Sequence, residues 1–398
     1  MIKEIKITNF YSFSEETIVL QPDVNILVGI NGSGKSNFFK AVRLLKEGVA
    51  GKGLRSHFFD DLGGFDNIFF KGHKKPKDIE IEYTFDSEEI TKGNYGYHFA
   101  SDVVYTIKII RSGTFQNYYI HENIATKGEK FLVFTNGIGH LKESFKGQQK
   151  PNTIKYTEFN PQELVLKEVS DTERYSALAS LRNAIKDIVV YEYFDTTPRS
   201  SIRRTILATS DRRLNSDGSN LTQILNTIKI NYKANYNKIV EMLQEVNPNF
   251  SGFDYHIFGG GNIELMLEEK GLESSIHVSS ISDGTLKYLC LLAILYNPER
   301  GKFICIDEPE TGLHPDMILN IANAIKEASE QSTLIISTHS VSLLDYFNID
   351  NLLVIEKDEN NATRVVTFKE EQFKGWYEEF AVGKMWIAGD FGGVRYGG

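Results

Sequence analysis

The sequence predicts an α/β fold, and three observations lead to this prediction. A glycine-rich stretch at 29–36 fits the pattern G-x-x-x-x-G-K-[ST]. A short apolar run near the other end of the chain, within 303–308, ends in two acidic residues. Another apolar run, within 333–339, ends in a histidine. Short apolar runs of this kind suit buried strands.

The glycine-rich stretch has the strand, loop and helix context that this pattern requires. An apolar run at 24–28 precedes it, and residues 37–45 follow it with helical periodicity. Glycines allow positive φ angles and bring successive N–H groups against phosphate oxygens, while the helix N-terminus adds partial positive charge. The stretch therefore predicts a nucleotide site rather than an ordinary glycine-rich turn. The predicted nucleotide-binding residues of this loop are Gly29, Asn31, Gly32, Ser33, Gly34, Lys35, Ser36 and Asn37.

The two acidic residues predict hydrolysis as well as binding. Lys35 would reach the β- and γ-phosphates of ATP, and the Ser36 hydroxyl would bind Mg²⁺. Asp307 would hold the same metal through its water shell, and Glu308 would orient or deprotonate the attacking water. Two acids after a strand can also simply begin a solvated loop. The glycine-rich loop in the same chain disfavours that reading.

Two further segments complete a known pattern. The stretch SSISDGTL at 279–286 precedes a helical stretch at 287–296, and His339 ends its strand. Together with Asp307-Glu308 and the opening IKITNFYSF at 5–13, these segments resemble the ABC-type ATPase head. The similarity is to the RecF and SMC-like branch, often called simply AAA ATPases, and covers about residues 1–72 and 272–357.

The resemblance implies roles for three more residues. Ser282 and Gly284 would form the signature motif, in a short Ser-Asp-Gly-Thr form that departs from the L-S-G-G-Q of the family. His339 would contact the γ-phosphate. In ABC heads the signature completes the nucleotide site of a second head, so the resemblance implies a homodimer, or a larger even-numbered assembly, around two ATP. An ordinary helix N-cap for Ser282 and a structural role for His339 stay open as alternatives.

Composition fits a cytoplasmic enzyme without a membrane segment. The chain of 398 residues is 41% hydrophobic and 24% charged, values near those of globular proteins, and no apolar run is long enough to span a bilayer. Cys290 and Cys305 fall in predicted core elements and are expected to be buried and not disulfide-bonded.

The net charge of −9 provides no global reason to bind DNA. Local DNA contact stays open through the basic residues at 71–77, Arg199, Arg203, Arg204, Arg212 and Arg213.

Between the motifs, residue patterns predict an antiparallel β lobe and an inserted helical lobe. Period-two patterns predict strands at 78–85, 95–99, 103–111, 117–121 and 130–134. Helical patterns cover 161–190, where Leu178, Leu181, Ile185 and Ile188 share a face, and 221–246; neither sustains the heptads of an SMC arm. The predicted parts are 1–75 and 271–357 for the ATPase core, 76–160 for the β lobe, 161–270 for the helical lobe and 358–398 for the tail.

The predicted function is that of an ATPase, with ATP and Mg²⁺ bound, that dimerises and controls a separately encoded effector. The effector, a nuclease or toxin in prokaryotic anti-phage defence, is implied by the resemblance alone. Glu356 resembles an acid of the Toprim nucleases fused to similar heads, but too few residues follow it for such a domain. Two alternatives remain: a RecF-like repair ATPase that binds DNA directly, and an ATP-sensing scaffold that does not hydrolyse ATP.

Overall fold

A computed structural model describes residues 1–72, 78–93, 95–113, 117–145, 152–373 and 381–390. The chain divides into two compact units. The first unit contains Met1–Val189, Asp350–Gln372 and Gly389–Gly398, and the second contains Val190–Ile349 and Phe373–Ala388. The finer division into core, β lobe, helical lobe and tail stays a prediction.

The strands and helices are numbered in chain order. The strands are β1 (Ile2–Phe10), β2 (Phe13–Val19), β3 (Val24–Val28), β4 (Asp78–Phe85), β5 (Val103–Arg111), β6 (Tyr118–Ala125), β7 (Lys130–Thr135), β8 (Ile138–Lys142), β9 (Thr153–Tyr156), β10 (Ile188–Tyr191), β11 (Ile206–Leu207), β12 (Phe250–Phe258), β13 (Asn262–Glu269), β14 (Ile276–His277), β15 (Phe303–Asp307), β16 (Thr333–Thr338), β17 (Leu352–Lys357) and β18 (Thr363–Thr367). The helices are α1 (Lys35–Ala50), α2 (Leu54–Ser56), α3 (Phe65–Ile68), α4 (Ser87–Lys92), α5 (Val165–Glu168), α6 (Ser176–Lys186), α7 (Leu221–Asn231), α8 (Lys233–Val246), α9 (Asp283–Leu295), α10 (Pro315–Ser329), α11 (Val341–Leu344) and α12 (Val382–Ala388). Within the described ranges, no helix is both long and apolar enough to cross a membrane.

An antiparallel sheet of eight strands dominates the first unit. Its order is β2-β1-β4-β5-β6-β7-β8-β9, and alternate residues along β4 are buried because one face of the sheet packs on the core. The predicted antiparallel sheet is thus confirmed, and it also includes β1 and β2. The predicted strand at 95–99 is wrong: these residues form no strand, and the Phe99 ring instead packs 5.5 Å from that of Phe131. Burial of the aromatic rings does not require this segment to pair with the sheet.

The first unit also contains β3, β17 and β18. Strand β17 runs parallel to β3 and antiparallel to β18. Every residue of β3 is buried, which explains why its sequence is an uninterrupted apolar run. The chain leaves β3 at Gly29 and enters the glycine-rich loop.

The second unit is built around the parallel pair β15 and β16 and the helices α9 and α10. In the register of this pair, Asp307 lies beside Ser337, so the carboxyl ends of both strands meet. Helix α9 is almost entirely buried, which explains its nearly continuous apolar sequence. Cys290 on α9 and Cys305 on β15 are buried and not disulfide-bonded, as predicted.

Two helical predictions need correction. The stretch 161–190 is helical only over α5 and α6, and Ile188 lies in β10. Helix α6 ends before Asp187, and the β-branched residues that follow favour an extended backbone. The stretch 221–246 forms two helices, because the backbone of Tyr232 takes φ −136° and ψ 62°, outside the helical region.

A buried carboxylate joins the large sheet of the first unit to α5. The Glu122 side chain on β6 accepts hydrogen bonds from the Tyr105 hydroxyl (2.8 Å) and from the N–H groups of Val165 (2.6 Å) and Leu166 (3.1 Å). Burial raises the pKa of Glu122 to about 7, although these three donors act in the opposite direction. The folded protein therefore keeps a proton on Glu122 at pH values where the unfolded chain has lost it.

We expect Glu122 to lower the free energy of unfolding as pH rises from 4.5, its unperturbed pKa, to about 7, its pKa in the folded protein. The loss is at most about 1.4 kcal/mol per pH unit, since one proton is involved. Glu122→Gln removes this titration. Urea unfolding of both proteins at the two ends of this pH window should therefore show a smaller loss for the variant. Equal losses would show that Glu122 does not titrate there.

Candidate nucleotide-binding and hydrolysis site

The glycine-rich loop lies in the first unit between β3 and α1, which is the predicted context. Gly34 precedes the first residue of α1 with φ 122°, and Gly32 has φ 80°. A Cβ atom at Gly34 would lie 2.4 Å from the Thr363 hydroxyl oxygen, so a larger residue would clash. The N–H groups in the first turn of a helix have no intrahelical partner and favour anions. The loop therefore has the geometry of a phosphate site.

Lys35 is held against this loop. Its ammonium group donates to the carbonyl oxygens of Gly29 (2.8 Å) and Ile30 (3.3 Å), and the side chain is largely buried. The positive charge thus lies beside the loop backbone, where a phosphate group would complement it. Asn31 and Ser36 are exposed, so their side chains are accessible to a ligand.

A cavity of about 280 Å³ opens beside the loop in the same unit. Its lining includes Tyr11, Ser12, Asn37 and Lys357. The Asn37 amide donates to the Ser12 hydroxyl (2.8 Å), which connects α1 to the turn between β1 and β2. The Lys40 ammonium group lies 4.2 Å from the centre of the Tyr11 ring. The cavity thus presents an aromatic ring, an amide and an ammonium group.

Asp307 and Glu308 lie at the carboxyl end of β15 in the second unit, and Ser337 of β16 contacts both. The Ser337 hydroxyl donates to the Asp307 carboxylate, and the Glu308 N–H lies 3.1 Å from both the carbonyl and the hydroxyl oxygen of Ser337. Glu308 has φ 45°, a left-handed conformation that costs a non-glycine residue about 1–3 kcal/mol. The contacts with Ser337 stabilise this turn.

The structure brings Glu308 and His339 together. The Nε2 atom of His339 lies 3.4 Å from Glu308 Oε1, and the Thr311 hydroxyl donates to Glu308 Oε2 at 3.1 Å. Both side chains are partly exposed, so water can reach them. A carboxylate beside an imidazole can accept a proton from water. The catalytic role of each side chain stays a prediction.

Glu310 is a further residue of this site, and sequence reasoning did not select it. Its Oε1 atom accepts from the Thr338 hydroxyl (2.6 Å), the His339 N–H (2.9 Å) and the Ser340 N–H (3.2 Å). One carboxylate oxygen therefore fixes the turn that carries His339. The sequence shows an acid two positions after Glu308, but nothing in it indicates which turn that acid would contact.

The predicted signature residues lie at the start of α9 in the second unit. The Ser282 hydroxyl accepts from the Thr285 N–H (3.2 Å), so Ser282 is an N-cap, and it is exposed. A Cβ atom at Gly284 would lie 2.9 Å from the Gly312 carbonyl oxygen, which explains the need for glycine at this close approach. The N-cap alternative is therefore observed, and it leaves the Ser282 hydroxyl at the surface.

Arg203 fixes the segment that leads to Ser282. Its guanidinium group is buried, forms an ion pair with Asp283, and donates to the carbonyl oxygens of Val278 (3.3 Å), Ser279 (3.0 Å) and Ile281 (2.6 Å). The expectation that Arg203 could contact DNA is therefore wrong, because its guanidinium group is buried and its N–H groups already donate to these partners. Arg199 and Arg204 are exposed. Of the basic stretch 71–77, residues 73–77 lie outside the described residues.

Lys287 connects α9 to the loop that follows the two acids. Its ammonium group donates to the backbone carbonyls of Glu308 (3.4 Å) and Thr311. Burial lowers the pKa of Lys287, and the nearby carboxylates of Glu310 and Glu308 partly oppose this effect. Hydrogen bonds from Lys287 thus join α9 directly to the turn at Glu308.

Comparison with known proteins agrees with the motifs. A family model described as "AAA domain, putative AbiEii toxin, Type IV TA system" matches residues 24–345. The chain is similar to the chromosome partition protein Smc of Myxococcus xanthus, with 24% identity over 285 residues, which are 69% of this chain and 21% of that protein. For Smc of Mycoplasma genitalium the identity is 30% over 181 residues, or 44% and 17% of the two chains. The chain thus spans about a fifth of the length of these relatives.

Two solved structures of Smc heads share the fold. One is the SmcHead bound to the C-winged helix domain of ScpA, with a TM-score of 0.60, 16% identity, and coverage of 93% of this chain and 99% of that one. The other is the Pyrococcus furiosus Smc head with an extended coiled coil, bound to the C-terminal domain of ScpA. Its TM-score is 0.58 at 14% identity, with 95% and 98% coverage. The predicted fold is therefore confirmed.

We expect Glu310→Ala to lower the free energy of unfolding by about 1–3 kcal/mol, because the His339 N–H and the Thr338 hydroxyl lose their acceptor. Glu310→Gln keeps one acceptor oxygen, so it should lower the free energy of unfolding by a smaller amount. Chemical denaturation measures both changes, with Glu330→Ala on the exposed surface as the control. If the alanine variant were as stable as the parent, Glu310 would not be what holds this turn.

Proposed function

The chain belongs to the AAA-domain family whose model spans residues 24–345, and from this premise we propose that it binds ATP and hydrolyses it to ADP and phosphate. The observation that carries the proposal is the glycine-rich loop between β3 and α1, with Lys35 held against its backbone. This arrangement combines open N–H groups, a helix N-terminus and a fixed cation, which together favour a polyphosphate.

Two regions of the first unit would bind the nucleotide: the glycine-rich loop and the cavity beside it. The phosphates would contact the loop residues Gly29, Asn31, Gly32, Ser33, Gly34, Lys35, Ser36 and Asn37. The Ser33 hydroxyl is buried and, among the described residues, has no hydrogen-bond partner, as expected for a group that serves a ligand. The adjacent cavity that Tyr11 and Asn37 line would take the sugar and base, since one ring can stack against another.

Ser36 and Asp307 fit the binding of Mg²⁺. Both residues offer oxygen atoms, which this hard cation prefers, and the Asp307 carboxylate is oriented by the Ser337 hydroxyl. When bound, the cation would neutralise charge on the phosphate groups. Ser337 would act here by keeping the Asp307 carboxylate in one orientation.

Hydrolysis would depend on Glu308 and His339. Glu308 would orient or deprotonate the attacking water, and His339 would contact the γ-phosphate. The 3.4 Å separation of these two side chains and the Glu310 contacts around His339 support a shared role. A scaffold that senses ATP without hydrolysing it would have no use for a carboxylate held in this strained turn.

Ser282 and Gly284 would complete the nucleotide site of a second copy. Ser282 is exposed at the N-terminus of the 13-residue helix α9, whose end attracts anions. If each copy offers this end to the phosphates of the other, the contact is two-fold symmetric. ATP would then hold the pair together, and hydrolysis would release it.

We further propose that this pairing controls a separately encoded effector, as in prokaryotic anti-phage defence. The family description names a toxin of a toxin–antitoxin system, and the Smc heads of similar fold are bound to domains of ScpA. A RecF-like role on DNA is the alternative, for which the exposed Arg199 and Arg204 supply cations. Affinity for duplex DNA that falls steeply with salt would favour that alternative.

Glu308→Gln should reduce ATP turnover by roughly 10²- to 10⁴-fold, because the amide keeps the volume but cannot accept the proton of water. ATP binding should persist. Steady-state phosphate release and calorimetric titration with ATP measure the two effects. Glu330→Gln makes the same change of charge at an exposed position and should behave like the parent. If Glu308→Gln hydrolysed ATP at the rate of the parent, Glu308 would not be the residue that activates water.

Ser282→Asp and Ser282→Asn separate the N-cap role from the proposed contact with a second nucleotide. Both residues cap helices well, so both variants should keep the thermal stability of the parent. Only the aspartate places a negative charge where the phosphates of a partner would lie. In the Glu308→Gln background with ATP, mass measurement should therefore show dimers for Ser282→Asn and single chains for Ser282→Asp. Dimers in both cases would contradict the proposed role of Ser282.

A further inference from the structure

We propose that Thr363 is a positioning residue of the glycine-rich loop: its hydroxyl holds the Ser33 carbonyl and thereby sets the direction of the Gly34 N–H. The inference rests on the proposed ATP binding and adds a residue far from every motif in the sequence. Thr363 is the first residue of β18 and is fully buried. It lies 330 positions along the chain from Ser33 but in the same unit.

Two oxygen atoms lie within hydrogen-bond distance of the Thr363 hydroxyl. These are the Ser33 carbonyl oxygen at 2.6 Å and the Ser12 hydroxyl oxygen at 2.7 Å. A carbonyl can only accept, and a hydroxyl has one proton, so the Thr363 proton must go to Ser33 if both bonds exist. Ser12 then donates to Thr363. The Thr363 N–H also donates to the Ser12 carbonyl at 2.7 Å, which locks the two residues together.

The hydrogen bonds continue to Asn37 at the start of α1. The Asn37 side-chain N–H donates to the Ser12 hydroxyl at 2.8 Å, and the Lys40 ammonium group lies 3.3 Å from the side-chain amide oxygen Oδ1 of Asn37. The amide orientation is therefore defined. The donors form a chain in one direction, from Asn37 to Ser12 to Thr363 to Ser33. Both ends of this chain lie on the segment that would contact phosphate.

Lys357 completes the contacts of the Thr363 hydroxyl. Its ammonium group lies 3.3 Å from the Thr363 oxygen and 3.1 Å from the Asn361 carbonyl oxygen. The Thr363 oxygen can accept two hydrogen bonds, and the Ser12 hydroxyl and Lys357 fill both positions. No freedom is left for the hydroxyl proton, which must point to the Ser33 carbonyl.

The effect on nucleotide binding follows from the geometry of the peptide group. The Ser33 carbonyl and the Gly34 N–H belong to one planar trans peptide, so they point in opposite directions. Thr363 therefore turns the Gly34 N–H away from β18. At Gly34, a Cβ atom would meet the hydroxyl oxygens of Thr363 at 2.4 Å and Ser12 at 2.8 Å, so glycine and these hydroxyls fit together. The loop is held in one shape before any phosphate arrives, which reduces the entropy lost on binding.

Thr363→Val tests this inference, because valine has the same shape but no hydroxyl. In the full chain we expect Kd for ATP to rise about tenfold, as loss of a buried hydrogen bond of about 1.4 kcal/mol predicts. Thr363→Ser restores the hydroxyl and should bring Kd back to within about twofold of the parent. Thr367→Val, at the exposed end of the same strand, should leave Kd unchanged. Melting temperatures show whether the variants are folded.

A purely structural role would lower the melting temperature of Thr363→Val without a specific loss of ATP affinity, and that result would overturn the inference. If Thr363→Val does not fold, Ser12→Ala removes the hydroxyl that orients Thr363 and the acceptor of Asn37 but keeps the bond from Thr363 to Ser33, so it should raise Kd by a smaller factor. If both variants fold, the double variant should bind no more weakly than the weaker single variant, whereas additive losses would contradict a shared chain. Failure of the parent itself to bind ATP would refute the proposed function instead.

Discussion

The glycine-rich loop depends on one constraint: the backbone at Gly34 must pass the hydroxyl groups of Thr363 and Ser12 with no side chain between them. Because the backbone passes this close, the Thr363 hydroxyl can donate to the Ser33 carbonyl, and α1 can begin at Lys35. A loop shaped in this way presents N–H groups to an anion without a large loss of backbone entropy. The shape of the glycine-rich loop thus follows from backbone packing.

In the second unit, side-chain hydrogen bonds fix the backbone of the candidate site residues. Glu310 accepts three hydrogen bonds from the turn around His339, and Ser337 stabilises the left-handed turn at Glu308. Arg203 does the same for the segment before Ser282. Each of these residues would act by fixing a neighbour. Hydrogen bonds to the charged side chains of Glu310 and Arg203 are strong and directional, so they suit this task.

Predictions from the sequence succeeded where a single local rule decides the structure. The hydrophobic pattern predicted buried strands such as β3 and the alternation of partly and fully buried residues in β4. The need for positive φ explained the glycines at 32 and 34. The predictions failed where local and tertiary preferences compete. Residues 95–99 have strand-like alternation, but they form no strand and only the Phe99 ring among them is buried. The helical pattern at 221–246 is interrupted at Tyr232.

The α/β class, the antiparallel sheet of the first unit, and the positions of the loop, the acids, His339 and the Ser282 helix start could be predicted from the amino-acid sequence. Each of these depends on residues that are neighbours in the chain. Three features are apparent only in the folded chain. Thr363 contacts Ser33, and Glu310 contacts the turn at His339. Arg203 is buried and therefore not available to DNA. The physical reason is distance along the chain: hydrogen bonds between residues far apart leave no periodic or compositional pattern in the sequence.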